Sequence, residues 1–359
     1  MGVSAALETL MLALAGAEAR EAISTEMAGF IPPTSCVPAR ALFIGAQPHS
    51  FLKSWPQVTG WQPLKPLADA WESAGFTRVD AVPPEKWPLV LVLPGKSRDE
   101  TLAWFAMARD HLQPGGRLVA AMPNTAGAGR FEKELARATA NITSIQKHKC
   151  RAFLAVEDGT WNEAIFSEWR ELGNPREIPG TAFVTQAGIF SSRHIDPGSQ
   201  FLADHLPAGL HGSVADLGAG WGFLSDAALR HCRKIEQLAL FEADCRALDC
   251  ARINLAKWSG NQETPGPRLS FHWHDVTTGI PGNYDSILMN PPFHSGQATD
   301  IDLGRAFLTT AAAALSRGGK LFLVANRQLP YESLLDSLCL TWRKPAEDGT
   351  YKLIFAQKR

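Results

Sequence analysis

Two halves of the chain carry the same kinds of sequence signal in the same order, and this repetition constrains the fold more than any other feature. In the first half, strand-like apolar runs at residues 41–44 and 89–93 end in glycine or in proline followed by glycine. A helical stretch at residues 100–112 comes next and leads through a Gly-Gly pair into another apolar run. Such a series predicts strands that are joined by helices.

The second half repeats the series. Its apolar runs at residues 214–217 and 286–289 end in glycine and in Asn-Pro-Pro, and a helical stretch at 304–315 again precedes a Gly-Gly pair. Short apolar strands alternating with helices are typical of β-α units, which build mostly parallel sheets covered by helices on both faces. We therefore expect an α/β protein of two tandem Rossmann-like domains that arose by duplication, although unrelated α/β domains can share such a pattern.

The length of the chain also favours two domains, because 359 residues exceed what one hydrophobic core usually holds. The stretch at residues 174–180 contains two prolines and a glycine and lies between the repeated series. This composition is typical of a linker. We therefore place the domains at residues 1–180 and 181–359.

A glycine-rich turn in the second half predicts a nucleotide site. Gly218, Gly220 and Gly222 follow the strand-like run that holds Asp216, and they precede a helical stretch. Glycines at such a turn let a ligand approach the backbone and place it at the positive end of a helix. The alternative is that these glycines serve packing alone.

Two acidic residues end neighbouring strand-like runs. Glu242 follows the run at 237–241, where its carboxylate could accept hydrogen bonds from two ribose hydroxyls, unless it is a solvated strand-end charge. Asp275 follows the run at 269–274, where it could accept a hydrogen bond from an adenine amino group or cap a helix. A nicotinamide cofactor stays possible on these residues. The turn reads G-x-G-x-G, however, and nothing in the sequence suggests a hydride-transfer site.

The segment Asn290-Pro291-Pro292-Phe293 indicates the chemistry. It ends a buried run, so in an open α/β sheet it shares a crevice with the glycine turn. The Asn290 side-chain carbonyl and the Pro291 backbone carbonyl can accept hydrogen bonds from a base amino group, and Phe293 offers a face for stacking. The prolines fix the backbone angles. The alternative is a tight strand exit, which Asn-Pro and Pro-Pro dipeptides often form.

The turn and the Asn-Pro-Pro segment resemble those of class I methyltransferases that act on amino groups. Residues 188–199, 318–321 and 324–331 resemble, more narrowly, the bacterial ribosomal RNA guanine-N2 methyltransferases. The resemblance is strong from about residue 180 to residue 359 and covers the first half only in layout. It implies two class I methyltransferase folds, of which the N-terminal copy is degenerate and serves stability and RNA recognition.

The resemblance also implies the site residues. S-adenosylmethionine would be bound by the glycine turn and its neighbours, namely Asp216, Gly218, Gly220, Gly222, Glu242, Asp275 and Asn290. The guanine amino group would be held by the catalytic segment Asn290, Pro291, Pro292 and Phe293. His294 is a weaker candidate for a proton acceptor. Trp221 departs from the family, which usually has a small residue there, and its bulk could cover the cofactor or narrow the pocket.

The first half lacks these residues. It has Gly45-Ala46-Gln47-Pro48 in place of the acidic glycine turn and Leu93-Pro94-Gly95-Lys96 in place of the Asn-Pro-Pro segment. Neither segment offers the same hydrogen-bond acceptors, which supports a degenerate copy.

Charge and composition limit the partners. The chain has 35 basic and 36 acidic side chains, so bulk attraction to nucleic acid is excluded. RNA contact would need placed cations, for which the run at 147–151, Arg327 and residues 343–344 are candidates. The six cysteines lack metal-site spacing, and the apolar run at 10–17 is too short for a membrane span and makes a poor signal peptide. We therefore expect a cytoplasmic monomer with no metal and no membrane contact.

The sequence predicts methylation of the N2 amino group of a guanine in small-subunit (16S) ribosomal RNA, either as free RNA or in the assembled subunit. The alternatives are the same reaction on large-subunit RNA, methylation of a protein glutamine, and a non-catalytic RNA-binding assembly factor. The glutamine enzymes carry mostly tyrosine after the second proline, where this chain has Phe293. Intact Asp216, Glu242 and Asn290 argue against a non-catalytic factor.

Overall fold

The computed structural model describes residues 3–15, 40–260, 266–292 and 298–359. The chain forms two compact units, Met1–Asn174 and Pro175–Arg359. Among the described helices, none has both the length and the apolar character needed to cross a bilayer.

The first unit is a seven-stranded sheet with helices on both faces. Its strands are β1 (Ala41–Ile44), β2 (Val58–Trp61), β3 (Thr77–Val79), β4 (Trp87–Val92), β5 (Leu112–Pro123), β6 (Ile142–Lys147) and β7 (Cys150–Val156). Its helices are α1 (Ala5–Leu14), α2 (Lys65–Ser73), α3 (Arg98–Asp110), α4 (Ala128–Thr139) and α5 (Glu163–Leu172). The strand order is β3-β2-β1-β4-β5-β7-β6.

The second unit begins with a small hairpin of β8 (Arg176–Glu177) and β9 (Val184–Thr185). Its main strands are β10 (His211–Leu217), β11 (Lys234–Glu242), β12 (Arg268–Trp273), β13 (Tyr284–Met289), β14 (Leu315–Asn326), β15 (Leu340–Arg343) and β16 (Tyr351–Lys358). Its helices are α6 (Pro197–Ala203), α7 (Phe223–His231), α8 (Cys245–Leu255), α9 (Ala298–Ala314) and α10 (Glu332–Ser337). The strand order is β12-β11-β10-β13-β14-β16-β15.

The two main sheets have the same topology, position for position. In each, five strands run parallel and the last two in the chain form an antiparallel hairpin, with the final strand between its partners. The predicted fold of two tandem Rossmann-like domains is therefore confirmed. The first strand of each series, β1 or β10, lies between its second and fourth, so the order of the strands reverses there and leaves a crevice at the carboxyl end.

The apolar runs form strands because both sheet faces are covered. In β10, Ala215 and Leu217 belong to the core on one face, whereas Val214 belongs to the core on the other. A strand buried on both faces has no polar alternation, which is why these segments read as continuous apolar runs. The N-terminal apolar run at 10–17 falls partly in α1, where Leu10 and Ala13 are buried.

Several predicted boundaries differ from the structure, among them that of the helix predicted at 304–315, which spans Ala298–Ala314. Arg176–Glu177 pair with Val184–Thr185, so most of the expected linker belongs to the folded second unit. The helix predicted at 100–112 spans Arg98–Asp110 because Ser97 caps it, its side chain accepting a hydrogen bond from the Glu100 amide.

A buried lysine ties the chain after β14 to β16. The Lys352 ammonium donates hydrogen bonds to the Leu329 carbonyl and to the Glu332 carboxylate, both at 2.6 Å. Only 4% of the Lys352 side chain is exposed. Burial, the largest single effect, opposes ionisation of Glu332, but the hydrogen bond from Lys352 and the charges of Lys352 and Lys344 together outweigh it and lower the pKa of that carboxyl.

We predict that Lys352→Met lowers the free energy of unfolding by about 2 to 4 kcal/mol at neutral pH, because it leaves a half-buried carboxylate without its cation. The pKa of Glu332 is lowered in the folded state, so the ion pair stabilises above the ordinary glutamate value of 4.5 and is lost as the pH falls below it. Urea titrations across this range measure both effects. Lys344→Met is the control, since Lys344 is exposed and lies 4.0 Å from the same carboxylate; equal losses in the two variants would contradict the assignment.

Candidate functional site

The site lies at the carboxyl ends of β10, β11 and β13. The turn after β10 is anchored to β11, since the amides of Gly218 and Ala219 both donate to the Phe241 carbonyl, at 2.8 and 3.2 Å. Gly218, Gly220 and Gly222 all have positive φ angles, of 70°, 53° and 88°. At Gly222, which precedes α7, a side chain would also meet Ala251 of α8 at 3.3 Å. The turn therefore needs glycine for both conformation and packing.

The Glu242 carboxylate caps the glycine turn. It accepts hydrogen bonds from the Gly220 amide at 2.7 Å and from the Asp244 amide at 2.9 Å. Burial raises the pKa of Glu242, although these amides oppose the shift. Each carboxylate oxygen keeps a further lone pair, so the ribose contact predicted for Glu242 is compatible with its structural role.

Asp216 lies beneath the turn. Its side chain is fully buried, with Oδ2 accepting a hydrogen bond from the Ser225 hydroxyl at 2.8 Å, while Oδ1 has no hydrogen-bond partner. Burial, together with the nearby Glu242 charge, raises the pKa of Asp216 to about 7. Asp216 is not among the residues that line the pocket above the turn, so any contact with a cofactor stays a prediction.

Asp275 caps a short 3-10 helix. Its Oδ1 accepts hydrogen bonds from the amide and the hydroxyl of Thr277, at 2.9 and 2.6 Å. The structure therefore shows the capping use that was the alternative for this residue. The adenine contact stays a prediction, which the second carboxylate oxygen would have to make.

Asn290 faces the pocket with one atom unsatisfied. Its Nδ2 donates hydrogen bonds to the Asp196 carboxylate and to the Ser199 hydroxyl, both at 2.8 Å. Its Oδ1 is buried and has no hydrogen-bond partner. Pro291 is buried and Pro292 half-buried, whereas Phe293 and His294 lie outside the described residues.

One pocket brings the glycine turn and Asn290 together, whereas Gly222, Glu242 and Asp275 are not among the residues that line it. Its lining comprises the glycine turn, the start of α7, the start of α6 and the loop before it, namely Phe190, Ser191, Asp196, Ser199, Gly218, Ala219, Gly220, Trp221, Phe223, Leu224 and Asn290. Phe190 is a large apolar side chain with 56% of its surface exposed. The residues from 190 to 199 were singled out in the sequence only by family resemblance. Their partner Asn290 is more than ninety residues away, so no local spacing could connect them.

The bulky side chain of Trp221 is accommodated by the segment before α6. Trp221 is buried in a small core with Ile178, Phe183 and Ile189, and its ring centroid lies 5.1 Å from that of Phe183. Its carbonyl accepts a hydrogen bond from the Asn254 side chain at 2.8 Å. The tryptophan thus anchors the segment that begins the second unit, besides forming part of the pocket wall.

The first unit repeats the turn without the carboxylate. The amides of Gly45 and Ala46 donate to the Trp61 carbonyl, at 2.9 and 3.1 Å. Gln62 occupies the place of Glu242, but its Nε2 atom donates a hydrogen bond to the Ala46 carbonyl at 2.9 Å. A side chain at Gly45 would meet the Trp104 ring at 2.8 Å, so this indole covers the turn. The first turn therefore lacks both the acceptor and the space of the second.

No group of three or more His, Cys, Asp or Glu side chains in residues 3–15, 40–260, 266–292 and 298–359 could hold a metal ion.

Comparison with known proteins was consistent with this geometry. Residues 180–355 match the family described as Methyltransferase small domain. Ribosomal RNA small subunit methyltransferase C of Shewanella putrefaciens is 28% identical over 285 residues, which cover 78% of this chain and 79% of that protein. The protein of the same name from Psychromonas ingrahamii is 29% identical over 272 residues, covering 75% of each chain. These likenesses confirm the resemblance seen in the motifs.

Among solved structures, the T. thermophilus 16S rRNA N2 G1207 methyltransferase in complex with AdoMet and guanosine aligns with a TM-score of 0.73. The alignment has 24% sequence identity and covers 92% of this chain and 90% of that one. It confirms the fold of both units.

We predict that Asp216→Asn stabilises the protein increasingly as the pH rises. The folded pKa of about 7 exceeds the ordinary 3.8, so the folded state binds the extra proton between these values and wild-type stability falls as the pH rises through them. An asparagine carries no charge at any pH, and the gain should approach about 4 kcal/mol near pH 8.

Denaturant titrations at several pH values test this. Asp249→Asn is the control, because it removes the same charge from a side chain that is 73% exposed. A gain for Asp216→Asn that does not grow with pH would contradict the buried charge.

Proposed function

We propose that this chain, whose second unit is a methyltransferase small domain and whose relatives are ribosomal RNA small subunit methyltransferases, methylates the N2 amino group of a guanine in 16S ribosomal RNA. The observation that carries the proposal is the Asn290 Oδ1 atom, a buried hydrogen-bond acceptor without a partner beside a glycine turn. A buried acceptor is costly unless a ligand satisfies it. An amino group is such a ligand.

The residues fit S-adenosylmethionine as the cofactor. The turn at Gly218, Gly220 and Gly222 allows close approach to the backbone, and the Glu242 carboxylate would accept hydrogen bonds from ribose hydroxyls. Asp275 would reach the adenine amino group. When bound, the cofactor supplies an electrophilic methyl group.

Asn290 and Pro291 would prepare the guanine nitrogen. The lone pair of an exocyclic amino group is delocalised into the base, which makes the nitrogen a poor nucleophile. Hydrogen bonds from its two hydrogens to the Asn290 Oδ1 and to the Pro291 carbonyl would hold the nitrogen in place and increase its electron density. Pro291 and Pro292 keep these acceptors aimed, and Phe293 would stack on the base. The nitrogen loses its proton readily once methylated, so no strong general base is required.

Identification of the product tests this function. The full chain is incubated with labelled S-adenosylmethionine in four separate reactions. These contain small subunits, large subunits, naked 16S RNA or a protein extract. We expect label only in N2-methylguanosine from 16S RNA. Label in large-subunit RNA, in another nucleoside or in glutamine would contradict the proposal, and cofactor binding without any transfer would favour the assembly factor.

The matched inactive variant is Asn290→Ala. It removes the acceptor for the amino group but leaves the glycine turn intact, so turnover should fall by at least about a hundredfold while calorimetric binding of S-adenosylmethionine, to which Asn290 is also predicted to contribute, weakens far less. Normal turnover in Asn290→Ala, or a loss of cofactor binding that accounts for the whole fall in turnover, would contradict the role of Asn290.

The RNA would also be contacted by a basic hairpin of the first unit, which joins β6 to β7. His148 and Lys149 form its exposed tip, with left-handed φ angles of 51° and 57°. The Lys149 carbonyl accepts a hydrogen bond from the Asn124 amide, so the tip is fixed beside the loop that precedes α4. Arg151 of the same run is paired with Glu132 and is less suited to phosphate.

We expect the protein to act in the cytoplasm as a monomer.

Salt dependence of RNA binding tests the hairpin. Each phosphate contact contributes about one unit to the slope of log affinity against log salt. Lys147→Gln and Lys149→Gln should therefore each reduce the slope by about one and leave cofactor binding unchanged. Lys86→Gln is the control, since Lys86 is exposed before β4, at the other end of the strands. Equal slopes in all variants would exclude this contact.

A further inference from the structure

We infer that Asp196 is a positioning residue, which fixes the direction in which the Asn290 carboxamide faces. The inference deepens the proposed function and rests on it, because the orientation matters only if Asn290 receives an amino group. It concerns an acidic side chain in the loop before α6, far from Asn290 in sequence.

Both hydrogens of the Asn290 amide nitrogen are already used. One is donated to the Asp196 Oδ2 atom and the other to the Ser199 Oγ atom, each at 2.8 Å. Two donors on one nitrogen are all that a carboxamide has. The oxygen of the same group is therefore the only atom left for a ligand, and it is the atom that lacks a partner.

Packing alone would not select this orientation. The oxygen and the NH₂ group of a carboxamide are similar in size, and a half-turn of the group exchanges them. In the reversed orientation, the Asn290 oxygen would face the Asp196 carboxylate, which can only accept hydrogen bonds. The NH₂ group would face the pocket and oppose the hydrogens of an incoming amino group. A charge-assisted hydrogen bond to Asp196 thus decides the orientation.

Asp196 is itself held by the first turn of α6. Its Oδ2 atom accepts a hydrogen bond from the Ser199 amide at 2.8 Å, as the N-cap of the helix. Gly198 keeps this turn close to β16, since a side chain there would lie 2.9 Å from the Tyr351 ring. One carboxylate oxygen therefore receives both the helix amide and the Asn290 amide.

Removal of the Asp196 carboxylate tests the inference, with its conservative replacement as the rescue. Asp196→Gly keeps a residue that helix N-caps tolerate but removes the acceptor, so the Asn290 carboxamide can rotate by a half-turn. Asp196→Asn keeps an oxygen at the place of Oδ2, which can cap the helix and still accept from Asn290.

We expect kcat to fall at least about tenfold in Asp196→Gly, with a much smaller change in KM for S-adenosylmethionine. Asp196→Asn should recover most of this loss. Asp204→Gly is the control, because Asp204 follows the same helix and contacts Gln200 instead. A role of Asp196 in capping alone would leave the kcat of Asp196→Gly nearly unchanged, and that result would overturn the inference.

A second measurement does not depend on the RNA substrate. The side-chain amide signals of Asn290 are assigned by NMR from their loss in Asn290→Ala. In the wild type these protons should exchange slowly with water, and in Asp196→Gly, but not in Asp204→Gly, exchange should accelerate at least about tenfold. Unchanged exchange would overturn the inference. If the wild type makes no N2-methylguanosine, the proposed function fails, and the exchange rates still decide the orientation of Asn290.

Discussion

The structure depends on how a central strand, buried on both faces, leaves its sheet. The chain must turn at the switch point, and the amides exposed by that turn need acceptors. In both units the two amides after the first strand donate to one carbonyl at the end of the second, Phe241 or Trp61. The next residue then closes the turn, and here the units differ. The carboxylate of Glu242 has two oxygens that can only accept hydrogen bonds, and one accepts from the Gly220 amide. The side-chain amide of Gln62 instead donates a hydrogen bond to the Ala46 carbonyl. The change from acid to amide, together with the Trp104 ring that covers Gly45, separates a turn able to receive hydroxyls from one that is covered.

The sequence predicted the structural features that depend on residues close to one another in the chain. The strands, the glycine turn and the acidic strand ends were visible because apolar runs and glycines act over a few positions. The fold followed from their repetition. What could not be predicted were partnerships across the chain, such as Asn290 with Asp196 and Trp221 with Phe183. These depend on which loops the sheet order brings together. Asp216 shows a further limit, since the motif predicts a ligand contact, but the structure places its carboxylate beneath the turn and out of the pocket lining.

A buried acid and a half-buried acid beside one turn destabilise the fold locally. Burial raises the pKa values of both Asp216 and Glu242, and the charge of Glu242 adds to the effect on Asp216. Neither has a basic side chain among the causes of its shift. Unfavourable charges of this kind persist where they serve a ligand rather than stability. The Oδ1 atoms of Asp216 and Asn290, which are buried without hydrogen-bond partners, further lower the stability of the fold at the same site.

The position of the last strand in each sheet has a consequence for synthesis of the chain. β7 and β16 follow their hairpin partners in sequence but lie inside the sheet, between β5 and β6 and between β14 and β15. Neither sheet can therefore grow outward from its centre in the order in which its strands emerge. Until β16 appears, β14 presents an open edge along Leu315–Asn326, with a run of apolar residues ready to pair with another chain. The first unit can complete its sheet while the second still lacks β16, so a nascent chain is most exposed to aggregation just before its second unit closes.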